Sequence, residues 1–286
     1  MADYSIWMLE YAHCPTQPVS SVLSGQHNRG EMLLTFTYLV LKGEGHIAMV
    51  DVGYNHAGPQ KARADGFGVT DWQPPDQVLA KIGLRPQEVD TVLLTHAHFD
   101  HMGNLQAFPN ARFFLQQREL AGWEGALALG PRYGFLTQAV DPSDVALAKD
   151  LVQAGRMTLV DGPVQDVLPG IHLRPVYDSH TFGSQLVLID QPAGRWVVAG
   201  DNCYAYENLT GLGADGVFVP VGFGVGSQLN MIKALDEMLA LAEGKVERVI
   251  VGHEAKSWQV FPSWCSADGL YAAEIELAPG EKSRRP

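Results

Sequence analysis

Four side chains that can bind a metal ion lie within six residues: His96, His98, Asp100 and His101. They follow an apolar stretch at 90–94, which predicts a buried strand. Alternate side chains of an extended segment point to the same side, so the imidazoles of His96 and His98 converge. Asp100 and His101 come where the chain must turn, and they approach from another direction. Stacked imidazoles beside a carboxylate need a cation between them, so this loop predicts the start of two adjacent metal sites.

Three further potential ligands each stand where a predicted strand ends, and they are His180, Asp201 and His253. The three strands are predicted from apolar runs at 171–176, 195–198 and 246–251. Ligands at one end of neighbouring strands converge on one rim of a layered sheet, where active sites usually lie. A single His or Asp at a strand end is more often a cap or a hydrogen-bonded core residue. The prediction of a metal centre therefore depends on the whole set.

The elements that must position these side chains follow an α/β pattern. Further strands are predicted at 33–41, 46–52, 111–115 and 185–189, with helices at 75–82, 101–108 and 227–242. The last helix has apolar residues at helical spacing, and we predict that they cover a sheet: Leu229, Ile232, Leu235, Met238 and Leu239. The run at 246–251 is predicted to be the last buried strand. Two strand-rich halves, each with helices, indicate sheet packed on sheet with helices outside.

Length and charge limit the function. We predict one domain over 1–286, with a helical insertion at about 116–160 and a short solvated tail from 279. The formal net charge of −12 argues against a nucleic-acid partner, because phosphate backbones would be repelled. The sequence has neither a signal-peptide pattern nor an apolar run long enough to span a membrane. The three cysteines, Cys14, Cys203 and Cys265, are scattered, which is typical of a cytoplasmic protein.

The order of these motifs resembles that of the metallo-β-lactamase superfamily, from Asp51-Val52-Gly53 through the His-rich loop to the final His. The resemblance implies an αββα sandwich, in which two mixed β-sheets are flanked by helices. It also implies a ligand set: His96, His98 and His180 for one ion, Asp100, His101 and His253 for the other, and Asp201 bridging both. Asp51 would orient the site without binding metal.

Within that superfamily the chain is most similar to the dinuclear zinc N-acyl homoserine lactonases, which are quorum-quenching enzymes. Those enzymes carry a tyrosine three residues after the bridging Asp, and Tyr204 holds that position here. Two features depart from the family pattern. Ser179 precedes the ligand His180 where glycine is common, and the helical region at 116–160 lengthens the spacing from His101 to His180. The insertion could shape a different cleft or a dimer surface.

These residues predict a metallohydrolase that acts on carboxylic esters. Two divalent ions, Zn²⁺ first and Mn²⁺, Fe²⁺ or Co²⁺ as alternatives, can share a hydroxide at neutral pH that attacks a carbonyl carbon. We expect Tyr204 to donate a hydrogen bond to the developing oxyanion and Asp100 to pass the proton to the leaving alkoxide. The expected substrate is a small molecule, an acyl homoserine lactone or another small or aromatic lactone.

Several questions stay open at this point. A metal-dependent thioesterase, cyclic amide hydrolase or linear ester hydrolase would use the same ligands, since these do not reveal the leaving group. Candidates for an apolar substrate-binding wall are Tyr54, Phe223, Trp258 and Phe261, with core packing as the equal alternative for each. A sensor without turnover is the non-enzymatic alternative, but such proteins usually lose ligands. The aromatic insertion and the N-terminal segment are candidate surfaces for a homodimer.

Overall fold

The computed structural model describes residues 2–286 and contains two β-sheets. The strands are β1 Tyr4–Pro18, β2 Glu31–Gly43, β3 His46–Val50, β4 Thr91–Leu93, β5 Arg112–Gln116, β6 Met157–Val160, β7 Val164–Leu168, β8 Ile171–Pro175, β9 Gln185–Gln191, β10 Gly194–Val198, β11 Val249–Ile250, β12 Ser263–Cys265 and β13 Tyr271–Glu276. The 8-stranded sheet has the order β12-β13-β1-β2-β3-β4-β5-β6, and the 5-stranded sheet has the order β11-β10-β9-β8-β7. Both sheets mix parallel and antiparallel pairs.

Helices cover the outer faces of the two sheets. They are α1 Val19–Val22, α2 Gly58–Gly66, α3 Pro75–Ala80, α4 Phe99–Met102, α5 Gln117–Ala128, α6 Pro142–Gln153, α7 Tyr206–Thr210, α8 Gln228–Leu241 and α9 Ser257–Val260. Local sequence explains where several begin. Asp141 caps α6 by accepting a hydrogen bond from the Ser143 amide at 2.9 Å, and Ser227 caps α8 in the same way.

The alternation of side chains along each strand builds a layered core. Leu39 points into the apolar layer between the two sheets, to which Ile189 of β9 also contributes. Its neighbour Val40 points the other way, into the cluster shared with α5 and α6. Leu188 likewise faces the cluster shared with α8. Burying each such side chain contributes about 1.5–3 kcal/mol, so this αββα arrangement is held mainly by its three apolar layers. It confirms the predicted sandwich.

Strand direction brings the predicted ligands to one edge. Strand β8 is antiparallel to β9, β9 is antiparallel to β10, and β10 is parallel to β11. The carboxyl ends of β8, β10 and β11 therefore share one edge of the 5-stranded sheet. His180, Asp201 and His253 follow these three strands, while the His-rich loop follows β4 of the other sheet.

The sequence predicts no strand before residue 33 and makes 246–251 the last strand, and the structure adds strands at both ends. Strand β1 has 15 residues and pairs with β2 and β13, but its first nine residues are all buried, so no alternation of polar and apolar residues marks it. The run at 246–251 is not the last strand, because β12 and β13 follow it. Only Val249–Ile250 of that run is extended, after a 3₁₀ turn at Val246–Arg248.

Two helix predictions also need correction. In α8 the side of the helix that packs on the sheet is rotated from the predicted one: Met231, Ala234, Leu235 and Met238 are buried, whereas Leu229 is 60% exposed. The helix predicted at 101–108 is replaced by α4 and a 3₁₀ turn at Leu105–Ala107. The α8 error arises because several apolar residues lie on both sides of this helix.

Helices α5 and α6 lie inside the segment 116–160, joined by a 3₁₀ turn at Pro131–Tyr133, and β6 closes it. Within residues 2–286, every helix is too short or too polar to cross a bilayer.

Candidate metal centre

The first set of ligand candidates is His96, His98, His180 and Asp201, and all four side chains are buried. One ligand atom from each lies within 4.8 Å of those of the others. His98 Nδ1 is 3.0 Å from His180 Nε2. Asp201 Oδ2 is 3.4 Å from His180 Nε2 and 3.6 Å from His96 Nε2. These nitrogen and oxygen atoms converge on one small volume.

The second set consists of Asp100, His101, His253 and again Asp201. Asp201 Oδ1 is 3.0 Å from Nε2 of both His101 and His253. Asp100 Oδ2 lies 3.4 Å from His101 Nε2. The Asp201 carboxylate thus turns one oxygen toward each set, which is the arrangement expected of a ligand shared by two adjacent ions.

The turn after β4 separates the two sets along a short stretch of chain. His98 has extended backbone and immediately precedes α4, so Asp100 and His101 fall within the first turn of that helix. After β10, Gly200 adopts a positive φ of 53°, and a Cβ there would lie 2.9 Å from Cβ of Thr95. Glycine therefore lets the strand end that carries Asp201 approach the His-rich loop closely.

Asp51 orients this loop by hydrogen bonds. Its Oδ1 accepts from the Thr95 amide at 2.7 Å, and its Oδ2 accepts from the Thr95 hydroxyl at 2.8 Å. His101 Nδ1 lies 2.7 Å from Asp51 Oδ2 and donates to it. Because Nδ1 carries the proton, Nε2 of His101 presents its lone pair to Asp201 and the site.

Two other imidazoles are oriented by backbone carbonyls. His253 Nδ1 donates to the Thr35 carbonyl at 2.6 Å, and His180 Nδ1 donates to the Phe223 carbonyl at 3.2 Å. In the neutral imidazole, each bond leaves Nε2 as the nitrogen with the free lone pair, directed inward. A hydrogen bond that orients the far nitrogen is the usual companion of a metal-binding histidine.

Unsatisfied polar atoms indicate that these residues fit metal ions. His96 Nε2 and Asp201 Oδ1 are buried, and neither has a hydrogen-bond partner among residues 2–286. Nε2 of His101 and Nε2 of His253 face each other at 3.3 Å, although the Nδ1 bonds make both nitrogens acceptors. Lone pairs that point at one another in a buried site are unfavourable without a cation. Five imidazoles and two carboxylates form the donor set of a pair of divalent ions.

Burial and the nearby carboxylates act in opposite directions on the pKa of these imidazoles, and the balance differs between His98 and His101. Burial, together with the neighbouring His180, lowers the pKa of His98 to about 3, so this imidazole is neutral at pH 7. Burial also works against protonation of His101, but the carboxylate of Asp201 and its neighbours outweigh it and raise the pKa of His101 well above its usual value. The negative charge that favours a proton on His101 would equally favour a metal cation.

A cleft of about 840 Å³, its open mouth included, lies directly above the two sets. His98, Asp100, His180, Asp201 and His253 line its floor. Its wall is formed mainly by apolar residues from separate parts of the chain: Leu34, Phe36, Phe67, Phe99, Phe135, Leu136, Ala139, Phe223 and Val225. The cleft thus joins a polar floor to an apolar wall.

Tyr204 stands between floor and wall. Its hydroxyl donates to Asp201 Oδ2 at 2.5 Å, and its ring stacks on His253 with 4.9 Å between centroids. Burial, followed by the charge of Asp201, raises the pKa of Tyr204 well above its usual value. The hydroxyl therefore stays protonated and serves as a hydrogen-bond donor at the floor of the cleft.

Comparison with known proteins assigns the family. Residues 31–253 match the family model described as the metallo-β-lactamase superfamily, and this range contains both ligand sets. The chain belongs to the metallo-β-lactamase superfamily.

Individual relatives are distant. N-acyl homoserine lactonase AttM of Azorhizobium caulinodans is 24% identical over 204 residues, which is 66% of each protein. The AttM protein of Rhizobium johnstonii is 22% identical and aligns over 91% of this chain and 97% of its own length. AidC, a dizinc quorum-quenching lactonase solved with the product N-hexanoyl-L-homoserine, has the same fold, with a TM-score of 0.65 at 17% identity over 93% of this chain and 92% of its own.

The metallo-β-lactamase fold places only one of the four predicted wall residues in the cleft, namely Phe223. Tyr54 is fully buried beside Phe99 in the core, with ring centroids 5.3 Å apart. Phe261 packs between the sheets against Trp196, and Trp258 stacks on Tyr271. For these three residues the structure favours core packing, the alternative that the sequence left open, because aromatic residues near a motif also serve the core.

Sequence reasoning missed most of the wall and one buried acid. Leu34 and Phe36 belong to β2, and Phe135 lies in the segment between α5 and α6. No spacing rule connects these positions with the ligands. Glu119, which contacts the backbone of the His-rich loop, occupies a helix start where an acidic residue is ordinary. For Phe135 alone there was a signal, since a cleft wall was one of the two roles that the sequence left open for the insertion, the other being a dimer surface.

Proposed function

We propose that this chain is a metal-dependent lactonase that hydrolyses neutral lactones with an apolar substituent, of the acyl homoserine lactone type. The observation that carries the proposal is the cleft itself. Potential metal ligands form its floor, the Tyr204 hydroxyl lies beside them, and the wall is apolar. The relatives named above, which carry the name N-acyl homoserine lactonase, support the same reaction.

The wall argues for an uncharged substrate. Apart from the ligand set and Tyr204, the only polar side chains that line the cleft among residues 2–286 are those of Gln17 and Gln138. A glutathione thioester or a β-lactam antibiotic carries carboxylates, and a phosphate ester carries a phosphoryl charge. Each would be desolvated against phenylalanine without a lysine or arginine to pair with it. A neutral ring with an alkyl chain meets no such penalty.

Two metal ions fit the donor set, and we propose Zn²⁺ at both sites. When bound there, they would polarise the lactone carbonyl and lower the pKa of a water molecule. His96, His98 and His180 would hold one ion, Asp100, His101 and His253 the other, and Asp201 both. Mixed imidazole and carboxylate ligands suit zinc, and the dizinc AidC supports this choice.

Tyr204 and Asp100 carry the remaining steps. The Tyr204 hydroxyl, protonated at neutral pH, donates to the carbonyl oxygen as negative charge develops there. Asp100 lines the cleft floor, where its carboxylate receives the proton of the attacking water and returns it to the ring oxygen as the C–O bond breaks. Ring opening thus consumes one water molecule and yields a hydroxy acid.

We also propose a cytoplasmic location, without a nucleic-acid partner. Scattered cysteines, of which Cys14 and Cys203 are buried, suit a reducing compartment. The net charge of −12 disfavours binding to phosphate backbones. The aromatic segment between α5 and α6 stays our candidate for a homodimer surface. Size-exclusion chromatography with light scattering would test the last point.

The deciding experiment measures proton release in weak buffer by the zinc-loaded protein. The substrates are acyl homoserine lactones of increasing chain length, γ-butyrolactone, an aromatic lactone, a neutral thioester and a β-lactam. We expect ring opening of the acylated lactones at kcat/KM above about 10⁴ M⁻¹s⁻¹, lost on chelation and restored by zinc. Hydrolysis of the thioester without hydrolysis of any lactone would contradict the proposal. It would indicate a metal-dependent hydrolase of another carbonyl substrate.

A further inference from the structure

Glu119 is a buried carboxylate outside the ligand set. It is the third residue of α5 and its side chain is completely inaccessible to solvent. Among residues 2–286 it forms no ion pair with any lysine, arginine or histidine, unlike most buried acids. Such a group is stable only when hydrogen bonds replace its lost solvation.

Four donors surround the Glu119 carboxylate. Its Oε1 accepts from the Ala97 amide at 2.9 Å and from the Trp123 indole at 2.7 Å. Its Oε2 accepts from the Thr181 hydroxyl at 2.8 Å and from the Gly183 amide at 2.6 Å. Both backbone amides and the indole can only donate, so the site is built for the ionised acid.

The partners of this carboxylate adjoin every histidine of the first set. Ala97 lies between His96 and His98, and Thr181 follows His180. The two loops come from different sheets, since one follows β4 and the other follows β8. Glu119 therefore links two loops that belong to different sheets, next to the hydrogen bond that the Gln185 amide donates to the Thr95 carbonyl at 3.0 Å. In the second set, the partners of His101 and His253 are Asp51 and a backbone carbonyl instead.

Close packing leaves the carboxylate little freedom. A Cβ on Gly183 would lie 2.3 Å from the Glu119 amide nitrogen, and one on Gly122 would lie 2.3 Å from Cγ of Phe182. Helix α5 thus rests directly on the loop that carries His180. Trp123 adds a contact with the His98 ring, 5.5 Å between centroids. Helix, loop and imidazole are held as one unit.

We propose that Glu119 is a positioning residue that sets the affinity of the His96, His98 and His180 site for its metal ion. By fixing both loops, it holds the three imidazoles converged before the ion arrives, so binding requires little rearrangement. This inference rests on the metal centre of the proposed function, but it does not depend on which substrate is hydrolysed.

The test is a zinc titration of the metal-free Glu119→Gln variant against a competing chromophoric chelator. The NH₂ group of glutamine cannot accept a hydrogen bond, so the pair of donors that faces it loses its partner, while the amide oxygen still accepts from the other pair. We expect two equivalents on the wild-type protein, and on the variant one unchanged equivalent and one about 10- to 100-fold weaker. Glu124→Gln is the matched control, because Glu124 lies on the same helix, is exposed and pairs with Lys149; it should keep both equivalents.

Two ligand variants identify the affected site. Glu119→Gln combined with His98→Ala should bind zinc no more weakly than His98→Ala alone, since both changes act on one site. Glu119→Gln combined with His253→Ala should lower the affinity for the single equivalent of zinc that still binds. If Glu119→Gln fails to fold, the near-isosteric Thr181→Val, which removes one donor, should weaken the same equivalent by a smaller factor.

Unchanged isotherms for Glu119→Gln, or for Thr181→Val where the first does not fold, would overturn the proposal. So would equal weakening of both equivalents, because that would indicate a general structural role. If the wild-type protein binds two equivalents of zinc but opens no lactone, the lactonase proposal is contradicted. The proposed role of Glu119 is unaffected by that result.

Discussion

The floor and the wall of the cleft are built in different ways. The floor consists of candidate ligands at strand ends, and three of them, His101, His180 and His253, are oriented by a directional hydrogen bond that the imidazole donates to a buried carboxylate or a backbone carbonyl. The wall consists of apolar side chains from separate segments, which touch the cleft without such bonds. Phe135, 81% exposed, is the extreme case. Directional bonds define one geometry, whereas apolar contacts tolerate exchange.

We expect the floor to carry out the reaction and the wall to select the substrate. A change on the floor should alter metal content or turnover for every substrate. A change on the wall should alter the affinity for some substrates and leave the chemical step intact. The following variants test that separation in order of decreasing effect on activity.

Asp201→Ala should have the largest effect. The variant removes the carboxylate that faces both ligand sets, so we expect less than one equivalent of bound zinc and a loss of kcat/KM on the order of 10⁴-fold. Metal analysis of the purified protein and a lactone assay measure both. Asp236→Ala, an exposed position on α8, is the control and should behave as wild type. Retention of two equivalents by Asp201→Ala would contradict a shared ligand.

Tyr204→Phe should lower kcat by about 10-fold for every lactone, with metal content unchanged. The change removes the hydroxyl that donates at the floor but keeps the ring that stacks on His253. Tyr206→Phe is the control, since that hydroxyl makes only a 3.5 Å contact with Ser257 away from the cleft. Wild-type turnover by Tyr204→Phe would exclude the hydroxyl from the reaction.

Phe135→Ala should raise KM only for lactones with long acyl chains. Loss of one apolar contact worth about 1 kcal/mol corresponds to roughly 5-fold in KM, with kcat and short-chain substrates unaffected. Tyr133→Ala is the control, because Tyr133 is exposed in the same segment but does not line the cleft. An equal effect on all chain lengths would mean that Phe135 acts on the floor.

Asp144→Asn should leave activity unchanged and affect stability alone. Asp144 lies in the first turn of α6, where burial and the nearby Asp141 raise its pKa from 3.8 to about 7. An acid with a raised pKa in the folded state stabilises the protein below pH 4, and this contribution is lost as the pH rises through 7. The variant should therefore gain about 2–4 kcal/mol in free energy of unfolding at pH 8, and little at pH 4. Urea unfolding at pH 4 and pH 8 measures the free energy of unfolding of both proteins. An equal gain at the two pH values would contradict a raised pKa of Asp144.

The ligands were predictable because their signals are local. His96, His98, Asp100 and His101 are close in sequence and follow an apolar run, and the same rule applies at each later strand end. Strand β1 was not predictable, because burial on both faces removes the alternation that marks a strand. For Tyr54 and Phe261 the sequence could not decide between core and cleft wall, because aromatic side chains occur in both.

The sequence by itself determined the fold class and which side chains gather on the floor as candidate metal ligands, because these depend on residue type and short-range spacing. Only the tertiary structure decided which side chains form the wall and that Glu119 joins the two histidine loops. Residues 34, 135 and 223 meet because two sheets and an inserted helical segment bring them together. Contacts between such distant positions depend on the packing of the whole chain, and no local pattern encodes them.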